Sequence, residues 1–340
     1  MAHSKNTIKT ILLILAISIL ILFPGNALSG ATDGIQLCIK TLIPSLFPFI
    51  VLSTALLNNL KNARIPMLAH ICKICKMPSG CDNILFAGLL GGYPVGAKLI
   101  ADSYNQGNIN NKDASRMLGF CNNAGPAFIF GVLNSAFSSF KITIVIWLIH
   151  ITSAILTGAL LPGRSDKQHN KSQEIKRPAG TVIERCVSTM GIICGWVIIF
   201  RIIISYMKEI LPVETSTELY VLLAGILELS NGCIQLSNID LPAIRFLICN
   251  CLLAFGGCCV TLQTAGIARN VGLIYYLPGK IIQTVIAIVL SIIVQGLLFV
   301  DLIPSSICLT LILLCIPAVF FSFYILRKEN NGSIYMNNAI

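Results

Sequence analysis

The sequence predicts an all-α polytopic membrane protein: about eight membrane-crossing helices plus two re-entrant hairpins, in inverted-topology repeats with broken helices. Three observations carry this. The 340 residues are 55% hydrophobic and only 11% charged, whereas soluble domains carry about 25% charged residues. Long apolar runs recur along the chain, and two further apolar stretches are interrupted in the middle by turn residues. The longest polar stretch, about 162–180, is too short for a soluble catalytic domain. Any chemistry therefore belongs inside the bilayer or in short loops, and no paired catalytic groups suggest an enzyme.

The N-terminus sets Lys5 and Lys9 before an apolar run, Ile11 to Phe23. It reads as an uncleaved first helix, although short for a span of ~20 residues. The competing reading is a signal peptide ending at Ala27-Leu28-Ser29. Clean spans follow at 41–60, 139–161, 181–207, 273–299 and 303–326. Stretches 112–134 and 241–265 are long enough to cross but are broken, at Gly125-Pro126 and at Gly256-Gly257. Stretches 84–104 and 218–236 carry turns at Gly91-Gly92-Tyr93-Pro94 and Ser230-Asn231-Gly232. Each arm of 84–104 reaches roughly 15 Å, half the ~30 Å hydrocarbon core, so it dips to the midplane and returns. Turns are tolerated at that depth only where protein or water surrounds them, which suggests an internal site.

Charge placement fixes the orientation. Basic residues in short loops favour the cytoplasmic side. With Lys5 and Lys9 inside, the loop bearing Lys61, Arg64, Lys73 and Lys76 is cytoplasmic, and so is the loop bearing Arg164, Lys167, Lys171, Lys176, Arg177 and Arg185. Arg269 and Arg327-Lys328 fall on the same side, so both termini are cytoplasmic in a multi-pass protein of the cell membrane. The net charge of +10 is scattered between apolar spans, which argues against nucleic acid as a partner.

The order span, hairpin, broken span, span then occurs twice, over 41–161 and over 181–299 from the opposite face. "IQLCIKT" at Ile35 echoes "IERCVST" at Ile183, and "AGLL" at Ala87 echoes "AGIL" at Ala224. The chain divides into an N-terminal helix (1–30), a first repeat (31–161), a basic cytoplasmic linker (162–180), an inverted second repeat (181–300), and a C-terminal helix with its tail (301–340).

The densest motif is "GLLGGYPVGAKLIAD", Gly88 to Asp102. It is not a phosphate-binding P-loop. Ala97 separates Gly96 from Lys98, and Leu99 stands where the hydroxyl residue belongs. Inverted repeats with discontinuous helices instead describe secondary transporters, whose sites lie near the midplane. Gly91 and Gly92 permit the tight turn, and Pro94 suits the first position of the returning helix. That helix end offers free N–H groups and partial positive charge, and Lys98 adds a full charge.

In "FCNNAGPAFIFG", Phe120 to Gly131, Pro126 cannot donate to the Asn122 carbonyl. Asn122 and Asn123 place amides at the break, where they either contact a ligand or satisfy the backbone. Glu228 is an ionisable group in a span, hence a functional candidate. It either pairs with Lys98 or carries a coupling proton. Thr261 and Gln263 follow the second break as counterparts of the asparagines, while Arg201 is assigned a structural, snorkelling role. The candidate substrate-binding set is Gly91, Gly92, Tyr93, Pro94, Lys98, Asn122, Asn123, Gly125, Pro126, Glu228, Asn231, Gly256, Gly257 and Gln263. The expected partners are a small polar solute, the lipid bilayer and a second copy of the chain.

No cofactor is expected. The fourteen cysteines mostly sit in apolar runs, where reduced cysteine is a small hydrophobe. "HICKICKMPSGC", with His70, Cys72, Cys75 and Cys81, has zinc-like spacing but is a single short copy, and it is read as an amphipathic loop helix.

The strings "GGYPVGAKL" and "RMLGFCNNAGPAFIFG" resemble the YlbJ-like sporulation integral membrane proteins, of the wider group carrying a nucleoside-recognition or Gate domain. The resemblance covers about residues 30–300 and is densest at 88–131. "FGGCCVTLQ", Phe255 to Gln263, fits the second Gate motif loosely. It implies a role in spore formation in a Gram-positive spore-former, and by analogy a nucleoside-like solute. Two activities fit: transport, and non-transporting support of spore-envelope assembly. The topology makes its own prediction: a reporter at position 171 should stay unlabelled by impermeant thiol reagents added to intact cells, and labelling from outside would refute the orientation.

Overall fold

Helix is the only regular structure among the described residues, which are 2–59, 66–162, 181–212, 215–299 and 315–326 of the computed structural model. The chain opens with α1 (Ala2–Leu22) and, after Phe23, α2 (Pro24–Leu37). A π-helical turn, Cys38–Leu42, joins α2 directly to α3 (Ile43–Asn59). The span expected at 41–60 is thus only the second part of a longer helix, and residue 30 lies inside α2. A short helix α4 (Pro66–Ile74) precedes the first helix pair, α5 (Asp82–Leu90) and α6 (Val95–Asn105).

Stretch 112–134 differs from the single broken span expected. It forms α7 (Asn111–Leu118), a non-helical segment over 119–125, and the short helices α8 (Pro126–Val132) and α9 (Asn134–Phe137). The reason is local chemistry. Asn110 caps α7 by accepting from the Asp113 N–H (2.8 Å), and α7 carries Lys112, Asp113 and Arg116, a poor face for lipid. Arg116 is fully buried and donates to the carbonyls of Lys76, Cys75 and Gly158. It pins the α4 loop to the next long helix, α10 (Phe140–Leu160).

The second half begins with α11 (Val182–Ile210), whose N-terminus has a reciprocal Thr181–Glu184 capping box. Next come α12 (Thr217–Leu227) and α13 (Leu229–Gln235), then α14 (Pro242–Phe255) and α15 (Gly257–Ile267), broken at Gly256, and finally α16 (Tyr276–Leu298). A last described helix, α17, spans Cys315–Leu326. Lys61 and Arg64, the linker around Lys171, the first part of the span expected at 303–326 and the Arg327-Lys328 end lie outside the described residues.

Among the described residues, five helices are long and apolar enough to cross a membrane: Pro24–Leu56, Phe140–Leu160, Val182–Ile210, Pro242–Ile267 and Tyr276–Leu298. Thr10–Leu22, Thr217–Leu227 and Cys315–Leu326 are shorter apolar helices. Their side chains are sorted for an apolar solvent. On α10 the buried positions include Thr143, His150, Ser153, Thr157 and Gly158, while Leu148, Leu156 and Leu160 are exposed. On α16 the buried set includes Lys280, Gln283, Ser291 and Gln295, while Ile293 and Leu297 are exposed. Polar groups turn inward and aliphatic ones outward, as lipid requires.

Packing between the halves uses small residues. Gly30 and Gly34, a G-x-x-x-G pair on α2, lie against α11: an added Cβ would sit 2.7 Å from Ile202 Cα and 2.9 Å from Ile198 Cα. Such spacing lets two backbones approach closely. Within the first helix pair, Cβ atoms on Gly88 and Gly96 would both collide with the Cys121 carbonyl oxygen. The α5–α6 pair therefore grips the 119–125 segment through two glycines.

That grip makes a prediction. Gly96→Val should lower stability by about 1–3 kcal/mol or more through overpacking. Gly266→Ala, with nothing within 4 Å of the added carbon, should be neutral or stabilising by about 0.5–1 kcal/mol. Thermal unfolding in detergent compares the two; equal effects would show that the Cys121 contact carries no energetic weight.

Candidate functional site

The site is built around the non-helical segment at 119–125, the crossing from α7 to α8. Helix α7 stops at Leu118, where Gly119 packs on α16: a Cβ on Gly279 would lie 2.8 Å from Gly119 Cα. Helix α8 starts with Pro126 in its first turn, where the missing N–H costs nothing. Between these limits the backbone has no helix to satisfy it, so side chains take over. His150 Nε2 accepts from the Ala124 N–H (3.1 Å), and Asn123 Nδ2 donates to the Phe120 carbonyl (2.7 Å). The freed Asn122 carbonyl accepts from Lys280 Nζ (2.6 Å).

Lys280 is 1% exposed. Its ammonium also donates to Asn123 Oδ1 (3.3 Å) and Gln283 Oε1 (3.0 Å), and Gln283 Nε2 donates to the same Asn123 oxygen (3.0 Å). The Tyr93 ring lies 5.5 Å from Nζ, within cation–π range. Asn122 Nδ2 donates to Thr264 Oγ1 on α15 (2.8 Å). Two residues of the crossing are thereby tied to α15 and α16 of the second half.

The irregular points of both halves are contiguous. Gly92 takes φ +72° at the first turn and packs on Gly125, where a Cβ would lie 2.9 Å from the Gly125 nitrogen. Tyr93 Oη donates to the Leu253 carbonyl (3.4 Å) and fills the space beside Gly256, where a Cβ would meet that oxygen at 2.7 Å. A Cβ on Gly257 would meet the Gly225 carbonyl at 3.1 Å and the Leu229 nitrogen at 3.4 Å. In each half, then, the bend between paired helices sits on the break of the helix that follows.

A cavity of about 50 Å³ opens at this junction, lined by Gly91, Gly92, Tyr93, Gly125, Glu228, Ser230 and Gln263, with Phe49, Phe128 and other apolar side chains. Six of the sequence-predicted residues are on its wall. Asn122, Asn123, Gly256 and Gly257 are in the surrounding framework, and Pro126 begins α8. Pro94 precedes α6 as its cap rather than occupying the first helical position, and Gly91 has an ordinary helical φ of −71°.

Other expectations need correction. Lys98 is half-buried on α6, off the cavity wall, and it forms no pair with Glu228. The Glu228 carboxylate instead accepts from the N–H groups of Ser230 (2.9 Å) and Asn231 (2.7 Å). The second bend falls at Glu228 itself, in extended conformation, and Ser230-Asn231-Gly232 belong to α13. Gly232 serves close packing against Gly225. Arg201 does not snorkel outward: it donates to Asn231 Oδ1, which also accepts from Gln235 Nε2 (2.9 Å). Its other end lies 4.0 Å from Asp33. Thr264, which the sequence reading did not single out, accepts from Asn122 Nδ2.

Sequence reasoning missed Lys280, Gln283, His150 and Arg116. A signal existed in "YLPGKIIQ", a lysine and a glutamine three apart in a 23-residue apolar helix. Cys72, Cys75 and Cys81 are buried in an apolar cluster, and among the described residues no group of three His, Cys, Asp or Glu could hold a metal ion.

Neither a protein-family profile nor a solved structure matches the chain. Its sequence is similar to the sporulation integral membrane protein YlbJ of Bacillus subtilis (strain 168), with 24% identity over 313 residues, 78% of this chain and 77% of that protein. This likeness supports the YlbJ-like family. With the apolar helices, it supports a multi-pass membrane protein.

The polar cluster makes a prediction. Asn123→Leu strips an acceptor from two buried donors and should cost roughly 2–5 kcal/mol of stability. Combined with Lys280→Met, the loss should be smaller than the sum by about 1 kcal/mol or more. Additive losses in thermal unfolding would show that the two side chains do not interact.

Proposed function

Taking the chain as YlbJ-like, we propose that it is a sporulation-associated permease for a small polar solute, held at the junction of the two halves. The observation that supports this reading is the cavity, where Glu228 and Gln263 from the second half face Gly92, Tyr93 and Gly125 from the first. A carboxylate, an amide and a phenol give acceptors, donors and a stacking face, which suit an uncharged hydrogen-bonding solute. A nucleoside-like solute fits that chemistry. At about 50 Å³ the cavity is far below the ~300–1,000 Å³ of ligand pockets, so such a solute requires the halves to part.

One observation favours a second reading, a non-transporting protein supporting spore-envelope assembly. Asn123 and the Asn122 carbonyl are engaged inside the protein, as in a dry framework. The discriminating experiment is a thermal-shift screen of purified protein against nucleosides, nucleobases, sugars and amino acids, followed by uptake in proteoliposomes. A permease should be stabilised by one class, by about 2.7 kcal/mol at a hundredfold excess over Kd. Gln263→Ala should abolish both that shift and uptake. No shift with any class, together with a sporulation defect for Glu228→Gln at normal protein levels, would favour the assembly reading.

A further inference from the structure

An ammonium has three N–H donors, and those of Lys280 meet three oxygens: the Asn122 carbonyl, Asn123 Oδ1 and Gln283 Oε1. No donor remains for a solute, so Lys280 is not a ligand contact. The three acceptors are neutral carbonyl and amide oxygens. Unwound backbone carbonyls coordinate Na⁺ or H⁺ at the broken helices of many transporters. Here the lysine nitrogen occupies the centre of that oxygen set.

Two of the oxygens come from the crossing in the first half, and the lysine comes from α16 in the second, so the bonds bridge the halves. The other titratable groups facing it are Tyr93 from the first turn, Cys121 from the crossing and His150 from α10, while Tyr276 on its own helix lies against Tyr93. None is a carboxylate, and among the described residues no ion pair holds the lysine. The arrangement therefore depends on one proton.

We propose that Lys280 is a proton-operated latch between the two halves: the ammonium holds the crossing against α16, and the amine releases it, making H⁺ the coupling ion. On release the proton passes from Nζ to water. The neutral amine keeps two N–H donors and presents a lone pair, so one of the three oxygens is left facing it. That repulsion and the lost bond loosen the contact at Gly119 and Gly279, where α16 packs on the crossing. Reprotonation restores it. The role in driving a solute rests on the permease reading, whereas the latch does not.

The test needs no solute. Hydrogen–deuterium exchange of the full chain in lipid nanodiscs, corrected for intrinsic rates, is followed from about pH 5 to about pH 10, a range bracketing lysine in buried and free settings. Protection of peptides covering 119–126 and 276–284 should fall in one step as pH rises, while the middle of α10 stays protected. The step should vanish in Lys280→Met. In Gln283→Met, which removes one oxygen and keeps the lysine, it should move to lower pH. No step in the wild-type chain, or the same step in either variant, overturns the latch. If Lys280→Met does not accumulate, Gln283→Met decides alone. A step without proteoliposome uptake removes the permease reading and leaves the latch, whereas uptake without a step removes the latch.

Discussion

Backbone that leaves the helix inside an apolar bundle must find partners without water, and here the demand falls on the seven residues from Gly119 to Gly125. An unsatisfied peptide group at such depth costs several kcal/mol. Much of the interior can be understood as an answer to that cost. His150, Asn123 and Lys280 supply bonds. Gly88, Gly96 and Gly279 remove side chains so that neighbouring helices can close on the segment. The polar stripes on α10 and α16 exist because these helices flank it.

This arrangement distributes function and stability unevenly. The cavity wall is made by the turn at Tyr93, the bend at Glu228 and the start of α15, so the groups that would meet a solute sit on irregular backbone. The lysine and the asparagines lie in the framework next to it, where they are consumed by structural bonds. Arg201 plays a parallel part on the other side, holding Asn231 and facing Asp33. Two cations of the second half, Lys280 and Arg201, thus steady backbone or amides near the junction.

Much of this was legible in the sequence. Apolar run length located α10, α11 and α16 to within a few residues, because a span needs a fixed number of turns in any sequence. The breaks at Gly91–Pro94 and Gly256 were visible because glycine and proline interrupt helices for local reasons. The longer α2–α3 helix was not visible, since the π-turn at Cys38–Leu42 leaves no compositional mark. Lys98 attracted attention by lying near the turn in sequence, yet helical rotation carries it off the cavity wall. Lys280 lies nearly 160 residues from its two acceptors at Asn122 and Asn123, and only the tertiary fold brings them together.

Cys121 has a consequence of a different kind. Its carbonyl is held between Gly88 and Gly96, and its thiol is fully buried at the centre of the crossing. Among the described cysteines none is classed as exposed. The buried thiols, Cys121 among them, should therefore react slowly with alkylating reagents in the folded chain. Cys121 would become reactive only when the crossing opens, so the alkylation rate at this native residue serves as a built-in clock for how often the two halves separate.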